Sequence, residues 1–331
     1  MSTAHLAEPH LAGFQEDFNA LRHELAKVIV GQADVIEQVL IAAVAGGHVL
    51  IEGVPGLGKT LLVQTLADIL QLRFSRIQFT PDLTPSDLLG TFVVMETASG
   101  RRTFEFQQGP IFSNLVLADQ INRGLPKTQA ALLQAMEGEE INVSTETFHL
   151  PQPFFVVGTQ NPQEMEGTFP LPEPEIDRFF FKLVVKGPSV DEIDAILQRT
   201  TESAPAELRA VVDGKRLLEM RQIASKVSLA APARRWVASL VAATHPDFPK
   251  APEAIKRYVR YGASPRAAQS LVIAAKVRAA ANGRNEVAKE DFAAVIVPAL
   301  RHRILLNFEG QAENIRSEVL LDSIVKSMNS K

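Results

Sequence analysis

Short apolar runs alternate with amphipathic segments through the first part of the chain. Apolar side chains at positions 14, 18, 21, 25 and 28 recur every three or four residues and predict an amphipathic opening helix. A second helix is predicted over Ala33–Ala45, and buried strands are predicted at 48–52, 74–80, 114–119, 153–160 and 179–185. Because helical or loop segments separate these strands, the order predicts a parallel sheet with helices on both faces.

Two segments interrupt this order with an alternation of period two. Residues 91–109 predict a β-hairpin with Ser99-Gly100 at its turn, and residues 141–150 predict a second one. The simpler interpretation of both hairpins is a solvent-exposed decoration. They stand just before and just after the strand that ends in Asp119 and its following helix, which keeps a functional role open.

The pattern changes after Lys186-Gly187-Pro188. Ser189 and Glu192 fit a helix-capping box, and helices are predicted beyond it at 191–200, 214–226, 232–243, 250–259, 265–281 and 289–302. A single core rarely grows beyond ~250–300 residues, so 331 residues suit two domains. We predict an α/β core at 1–187 and an all-α domain at 188–331.

Composition excludes several kinds of chemistry. There is no cysteine, which excludes disulfides, thiolate metal sites and a cysteine nucleophile. A net charge of −4 and only two tyrosines make nucleic acid an unexpected partner, although Arg101-Arg102 is where a basic patch would lie. No apolar run approaches the ~20 residues that cross a bilayer, and the N-terminus lacks a signal-peptide pattern. We therefore expect a cytoplasmic protein without membrane insertion.

The predicted strand at 48–52 leads into GVPGLGKT, which matches the pattern G-x-x-x-x-G-K-[ST] in full. Glycines let successive backbone N–H groups surround phosphate oxygens, while Lys59 adds a positive charge and Thr60 a hydroxyl ligand for Mg²⁺. A Gly-Pro-Gly turn also occurs in ordinary loops, but the flanking strand and helix favour a phosphate-binding loop. The predicted binding residues are Gly53, Val54, Pro55, Gly56, Leu57, Gly58, Lys59 and Thr60.

Polar residues at later element ends supply the other candidates. Asp119 could hold Mg²⁺ with Thr60, and the amide of Asn161 could bind a terminal phosphate and a water molecule; both positions also suit ordinary turns. Arg178, just before a strand, suits the stabilisation of a transferring phosphoryl group, although most such arginines are surface groups. Arg266 lies in the first turn of a helix, where the dipole disfavours a cation, which hints at an anionic partner.

With these motifs the chain resembles the MoxR family of AAA+ ATPases. The resemblance extends from Val30-Gly31-Gln32 to the last predicted helices and is carried by GVPGLGKT, ADQINR with PKTQAALLQAMEG, GTQNPQEMEGTFPLPEPEIDRF and GASPRA. It implies an AAA+ P-loop core, with a five-stranded parallel sheet between helices, followed by an all-α lid. The hairpins at 91–109 and 141–150 would be the helix-2 insert and the pre-sensor-1 hairpin.

The resemblance also implies roles for individual residues. Residues 53–60 would be the Walker A motif and Asp119-Gln120 the Walker B motif. Asn161 would be sensor 1, Arg178 the arginine finger given to a neighbouring subunit, Arg266 sensor 2, and Arg123 a further trans-acting arginine at the subunit interface. The residues expected around the adenine and beside the Walker A motif are Ile29, Val30, Gly31, Gln32 and Leu61.

The same resemblance implies ligands and partners. The expected cofactors are ATP or ADP and Mg²⁺. The expected assembly is a homo-oligomeric ring, a hexamer, with ATP between subunits. The implied role is a chaperone-like maturation or activation of client proteins, with a von Willebrand factor A domain protein on a separate chain as partner.

One residue departs from the family pattern. The family has Glu where this chain has Gln120, which lacks a basic oxygen and should slow hydrolysis by ~10²–10⁴-fold while leaving ATP binding intact. Because every other catalytic position is filled, we interpret Gln120 as an engineered Glu→Gln substitution that traps ATP. The alternatives are a natural non-hydrolysing assembly scaffold and a metal-chelatase-type motor subunit.

Overall fold

The computed structural model describes residues 8–96, 102–162, 167–202, 204 and 206–329. The strands of this part of the chain are β1 (Val49–Glu52), β2 (Phe74–Gln78), β3 (Gly90–Glu96), β4 (Arg102–Gln108), β5 (Leu115–Asp119), β6 (Glu140–Val143), β7 (Glu146–His149), β8 (Phe155–Gln160), β9 (Phe181–Val184), β10 (Val259–Tyr261) and β11 (Leu305–Leu306).

The helices of the same residues are α1 (Glu8–Val28), α2 (Ala33–Ala45), α3 (Lys59–Ile69), α4 (Pro85–Leu89), α5 (Pro126–Gly138), α6 (Glu173–Ile176), α7 (Val190–Leu197), α8 (Gly214–Ser225), α9 (Ala231–Ala242), α10 (Glu253–Tyr258), α11 (Pro265–Ala281), α12 (Lys289–Leu300), α13 (Phe308–Ala312) and α14 (Ser317–Asn329). A 3₁₀ turn follows β5 at Ile121–Arg123, and a π-helical turn follows α7 at Gln198–Glu202.

The central sheet has five strands in the order β2-β5-β8-β1-β9, and every neighbouring pair is parallel. Alternate side chains of a strand point to opposite faces. In β5, Leu115 and Leu117 join the hydrophobic cluster that contains α1, α2 and α3, whereas Val116 and Ala118 join the cluster that contains α5. The sheet is therefore covered on both faces, as predicted.

His48 fixes the start of β1 to the layers around it. Its Nδ1 accepts from the N–H of Val156 at 3.0 Å and its Nε2 donates to the carbonyl of Met136 at 3.0 Å. Only the neutral ring satisfies both bonds, because Nδ1 must carry a lone pair. Burial lowers the pKa of His48 to about 4, opposed by the bond to Met136.

The two predicted hairpins are present as β3–β4 and β6–β7. The predicted turn at Ser99-Gly100, together with Arg101, lies outside the described residues. Phenylalanine rings join the two hairpins, and the rings of Phe106 and Phe148 stack with their centroids 4.1 Å apart. The stem of β3–β4 is thereby fixed beside β6–β7, whereas Phe104, two residues nearer the start of β4, is exposed.

The second half of the chain is helical, with one departure from the all-α prediction. Strands β10 and β11 form a short antiparallel ribbon. The prediction missed it because its strands come from positions 259 and 305, too far apart for a local pattern to link them. Two helices, α13 and α14, also lie beyond the last predicted helix. The capping box at Ser189 and Glu192 is confirmed at the start of α7.

The α1–α3 face of the sheet shares its hydrophobic cluster with the helical half. Phe14 of α1, Ile51 of β1, Leu271 of α11 and Phe292 of α12 all belong to that cluster. The boundary at 187/188 therefore stays a prediction from the change in element type. Among the described residues, no helix is both long and apolar enough to cross a membrane.

Candidate functional site

The glycine-rich turn lies at the carboxyl end of β1 and leads directly into α3. Gly56 has φ +85° and Gly58 has φ +75°, conformations that glycine adopts without strain. A Cβ added at either position would meet nothing within 4 Å, so the space over the turn is open. The turn, the start of α3 and Leu61 border a cavity of about 400 Å³, the smaller cavity. Backbone N–H groups at a helix start make such a turn suited to anions.

Lys59 lies folded against the turn that precedes it. Its Nζ donates to the carbonyl oxygens of Gly53 and Val54, each at 2.7 Å. Burial lowers the pKa of the Lys59 ammonium, and the charge of nearby Asp119 opposes that shift. Val54 does not line the smaller cavity, unlike the other residues of the motif. Its contribution is the carbonyl that positions Lys59.

Asp119 ends β5, which is separated from β1 by β8, and lines the same cavity. Its Oδ1 accepts from the hydroxyl of Thr159 at 2.7 Å. Its Oδ2 accepts from the Nη2 of Arg76 at 2.5 Å and from the Nε at 3.1 Å. Asp119 and Thr60 line one cavity, and Thr159 and Arg76 line it too. The carboxylate thus already binds a cation, the guanidinium of Arg76.

Gln120 follows in a left-handed conformation with φ +56°. Its backbone N–H donates to the hydroxyl of Thr159 at 2.9 Å. Its side-chain oxygen accepts from Nε2 of Gln78 at 3.0 Å and from Nη1 of Arg123 at 3.4 Å. The amide therefore has a defined position at the edge of the smaller cavity, and Arg123 contacts it within the same chain.

The end of β8 closes the smaller cavity. Asn161 is buried and lines it together with Gln160. Gln160 donates to the carboxylate of Glu52 at the end of β1, and Glu52 also pairs with Lys182 at 2.7 Å. This polar network joins the carboxyl ends of β8 and β1, where parallel α/β sheets place their ligands, to Lys182 within β9.

A larger cavity of about 860 Å³ adjoins the smaller one. The two share Gly56, Leu57, Gly58 and Leu61. Ile29, Val30 and Gln32, which are expected to lie around the adenine, border the larger cavity, and Gln32 Nε2 donates to the carbonyl of Leu57 at 3.3 Å. Gly31 does not line it: at φ +66° it is covered by the side chain of Glu192, which would collide with any Cβ there.

The second half of the chain borders the larger cavity through α7, where Glu192 and Ile196 line it, and through α12, but not through α11. Val297 and Pro298 line the cavity together with Arg301, whose pKa is lowered by burial. Arg266, on α11, lines neither cavity. The structure therefore does not bring the predicted sensor 2 residue to the cavities of its own chain.

Arg178 and Arg266 lie together on one carboxylate, that of Glu137 near the end of α5. Arg266 Nη2 contacts Glu137 Oε1 at 2.9 Å, and Arg178 Nη2 contacts Oε2 at 3.5 Å. Arg178 also donates to the carbonyl of Leu133 at 2.7 Å. The anionic partners suggested by the position of Arg266 in its helix are thus Glu137 and, at 3.9 Å, Asp177 of the same chain. Arg178 lines neither cavity either.

A buried ion pair supports this arginine cluster. Arg303, almost wholly buried, contacts Asp177 Oδ1 at 2.7 Å and donates to the carbonyls of Asp177 and Phe179. Asp177 also accepts from the hydroxyl of Ser264, two residues before Arg266. The segment before β9 is therefore held to the start of α11.

Arg76, Gln78 and Glu137 were not predicted from the sequence to belong to the site. Arg76 and Gln78 share one side of β2, an edge strand of the sheet, opposite buried Ile77, and two polar residues on one side of a predicted strand were a usable signal. Glu137 gave no such signal, because its partners lie 41 and 129 positions farther along the chain. Only the folded chain shows that it gathers two arginines.

The sheet, the glycine-rich turn and the helical second half define the fold of an AAA+ ATPase. Residues 48–181 match the model of the ATPase family associated with various cellular activities (AAA), and residues 252–324 match the AAA lid domain.

Relatives that match over most of their length identify the family within this class. The chain is 38% identical to Chaperone MoxR1 of Mycobacterium tuberculosis, over 99% of this chain and 87% of that protein. It is 29% identical to Protein MoxR of Paracoccus denitrificans, over 96% of each chain. A crystal structure of a candidate ATPase from Cytophaga hutchinsonii superposes with a TM-score of 0.89 at 39% identity, over 97% of this chain and 96% of that one. The chain belongs to the MoxR family of AAA+ ATPases.

The residues of the smaller cavity fit a magnesium-bound triphosphate. The Thr60 hydroxyl and the Asp119 carboxylate are oxygen donors of the kind that Mg²⁺ prefers. The open space over Gly56 and Gly58 leaves room for phosphate groups beside them. The pairing of Asp119 with Arg76 shows that this carboxylate holds a positive charge in this fold.

Proposed function

We propose that this chain binds Mg²⁺-ATP across the two joined cavities, with the adenosine in the larger cavity and the phosphates in the smaller one. The observation that carries the proposal is the convergence of the glycine-rich turn, Asp119, Gln120 and Asn161 on one cavity that opens into a second. The larger cavity, at about 860 Å³, lies in the volume range of small-molecule and cofactor sites.

Each residue of the smaller cavity has a definite task in this proposal. Lys59 exchanges its contacts with the turn carbonyls for phosphate oxygens. Thr60 and Asp119 would hold Mg²⁺, which would neutralise charge on the phosphates. Asn161 hydrogen-bonds the terminal phosphate, and the residue at position 120 orients the attacking water.

Gln120 determines how fast this chain turns ATP over. Its amide keeps hydrogen bonds to Gln78 and Arg123 but offers no basic oxygen to the water. We therefore propose that the chain binds ATP normally and hydrolyses it slowly. A substitution introduced to trap ATP would explain why Gln120 alone departs from an otherwise complete set of expected catalytic residues.

Arg178 and Arg266 fit a task in a neighbouring subunit. They are tied to one carboxylate, and neither lines a cavity of its own chain. In a hexameric ring with ATP between subunits, such a pair would stabilise negative charge on the neighbour's phosphates. Arg123 is exposed and adjoins Gln120, which suits it to the same interface.

The ring would use ATP to remodel client proteins. Membership of a family that includes Chaperone MoxR1 supports this part of the proposal. The partner we propose is a separate von Willebrand factor A domain protein, and the compartment is the cytoplasm.

Rings assembled from two different variants of the chain test the proposal. In the Gln120→Glu background, Lys59→Met removes the nucleotide site and Arg178→Ala removes the trans-acting arginine, so each variant alone should be inactive. When the two are mixed, an intact nucleotide site of one subunit meets an intact arginine of the other, and phosphate release should recover. Native mass measurement with ATP and Mg²⁺ reports ring formation and mixing.

The control is a mixture of Lys59→Met with the double variant Lys59→Met, Arg178→Ala, which should stay inactive. Mixed rings without recovery would contradict the trans role of Arg178. A chain that stays monomeric with ATP and Mg²⁺ would contradict the ring.

A second candidate function is an ATP-dependent assembly scaffold without turnover, and Gln120 is the observation that favours it. The two functions differ in one result. A scaffold would assemble with ATP and stay inactive as Gln120→Glu, whereas a remodelling ATPase would gain phosphate release.

A further inference from the structure

Arg76 is a charged residue that lines the smaller cavity and lies outside the set proposed to bind ATP and Mg²⁺. It lies on β2 beside β5, and its guanidinium donates two hydrogen bonds to Asp119 Oδ2, from Nη2 at 2.5 Å and from Nε at 3.1 Å. Its side chain is half exposed and lines the same cavity as Lys59 and Thr60. The ion pair of Arg76 with Asp119 differs from an ordinary surface ion pair, because Asp119 is the candidate metal ligand.

The two oxygens of Asp119 have different partners. Oδ1 accepts from the Thr159 hydroxyl at 2.7 Å, a neutral bond that is compatible with a metal on the other oxygen. Oδ2 carries the guanidinium of Arg76. A divalent cation needs that oxygen or its solvation shell, so Arg76 and Mg²⁺ compete for one carboxylate.

The same guanidinium is also linked by hydrogen bonds to Gln120, the residue at the position proposed to orient the attacking water. Arg76 Nη2 also donates to Gln78 Oε1 at 2.8 Å, and Gln78 Nε2 donates to Gln120 Oε1 at 3.0 Å. Movement of Arg76 away from Asp119 therefore releases one of the partners that fix Gln78. Two consecutive hydrogen bonds thus join Arg76, which binds the candidate metal ligand Asp119, to the residue at position 120.

We propose that Arg76 is a positioning residue that competes with Mg²⁺ for Asp119 and thereby sets how strongly ATP binding depends on the metal. The inference rests on the proposed function. Without Mg²⁺, Arg76 neutralises Asp119, which would otherwise repel the triphosphate. With Mg²⁺, Arg76 would have to leave Oδ2, so part of the metal's benefit to ATP binding would be lost.

The measurable consequence is a coupling ratio, defined as the ATP dissociation constant with a chelator divided by that with excess Mg²⁺. Removal of Arg76 should weaken metal-free binding and strengthen metal-bound binding, so the ratio should rise. Couplings between two ligands typically amount to about 5–150-fold, and we expect a rise of about tenfold for Arg76→Ala. Arg76→Gln, which keeps part of the side chain, should behave in the same way.

Calorimetric titration of the full-length chain with a non-hydrolysable ATP analogue measures both constants. Arg73→Ala is the matched control: it removes the same charge from an exposed arginine just before β2 that does not line the smaller cavity. Its ratio should equal that of the unsubstituted chain. In an Asp119→Asn background, Arg76→Ala should leave the ratio unchanged, because the contested charge is gone.

A role of Arg76 confined to holding the fold together would lower stability without moving the ratio. An unchanged or lowered ratio in both Arg76 variants, with ATP still bound, would overturn the inference and leave the proposed function intact. Absence of binding in the unsubstituted chain with Mg²⁺ would overturn the proposed function and the inference together.

Discussion

Replacement of Gln120 by glutamate restores the basic oxygen that the proposed chemistry needs. The structure holds this position firmly: the backbone N–H bonds to Thr159 at 2.9 Å, and the side-chain oxygen accepts from Gln78 at 3.0 Å and Arg123 at 3.4 Å. All the side-chain partners are donors, so a carboxylate keeps them, and the charge strengthens them. The new side chain should therefore occupy the place of the old one.

The expected gain follows from the task of that oxygen. A positioned general base contributes about 10²–10⁴-fold, which at 1.36 kcal/mol per tenfold is about 3–5 kcal/mol of activation free energy. We expect Gln120→Glu to raise phosphate release by that factor, with little change in ATP affinity. Single-turnover release with protein in excess over ATP measures the chemical step directly.

Two controls separate base chemistry from a general change in the cavity. Gln120→Ala should stay as slow as the unsubstituted chain, because it also lacks a basic oxygen. Gln78→Ala, added to Gln120→Glu, should lose part of the gain, because the carboxylate loses a donor that positions it. A flat rate in Gln120→Glu with ATP still bound would refute this reasoning.

Two further predictions concern the arginine cluster and the buried histidine. In the Gln120→Glu background, Glu137→Gln should lower the turnover rate about 10–100-fold by misplacing the two arginines that share it, while ATP affinity, measured by calorimetry, stays unchanged. Glu139→Gln is the control, and an equal loss there would contradict the role of Glu137. His48 has a folded-state pKa of about 4, against an ordinary value of 6.5, so only the unfolded state takes up its proton between these values and stability is lost as the pH falls from about 6.5 to about 4. Denaturant unfolding should show a loss of about 2 kcal/mol from this group between pH 7.5 and pH 5, absent in His48→Gln and retained in His10→Gln; an equal loss in all three chains would contradict it.

The sequence was informative where the signal is local. A run such as LVLAD predicts its strand to within a residue, and GVPGLGKT predicts its turn, because alternation and glycine geometry act over a few neighbours. The C-terminal helix α14 had a usable local signal in its buried Leu320, Leu321 and Ile324, which recur at helical spacing.

The sequence could not give the contacts that complete the site. Arg76 meets Asp119 across 43 positions, and Arg266 meets Glu137 across 129. No local pattern fixes such a pair, since it depends on which strands are neighbours and on how the lid packs. Local patterns also could not tell which part of the lid lines the larger cavity. The sequence favoured Arg266 of α11, whereas Arg301, directly after α12, lines it.

The central claim is that the turn at 53–60 binds the phosphates of ATP, and calorimetric titration with Mg²⁺ and a non-hydrolysable ATP analogue tests it most directly. The account predicts saturable binding that weakens about 10–100-fold in Lys59→Met, as expected for the loss of a charge-assisted hydrogen bond, and is unaffected by Lys127→Met at an exposed site on α5. No binding by the unsubstituted chain, or equal affinity after Lys59→Met, would contradict it.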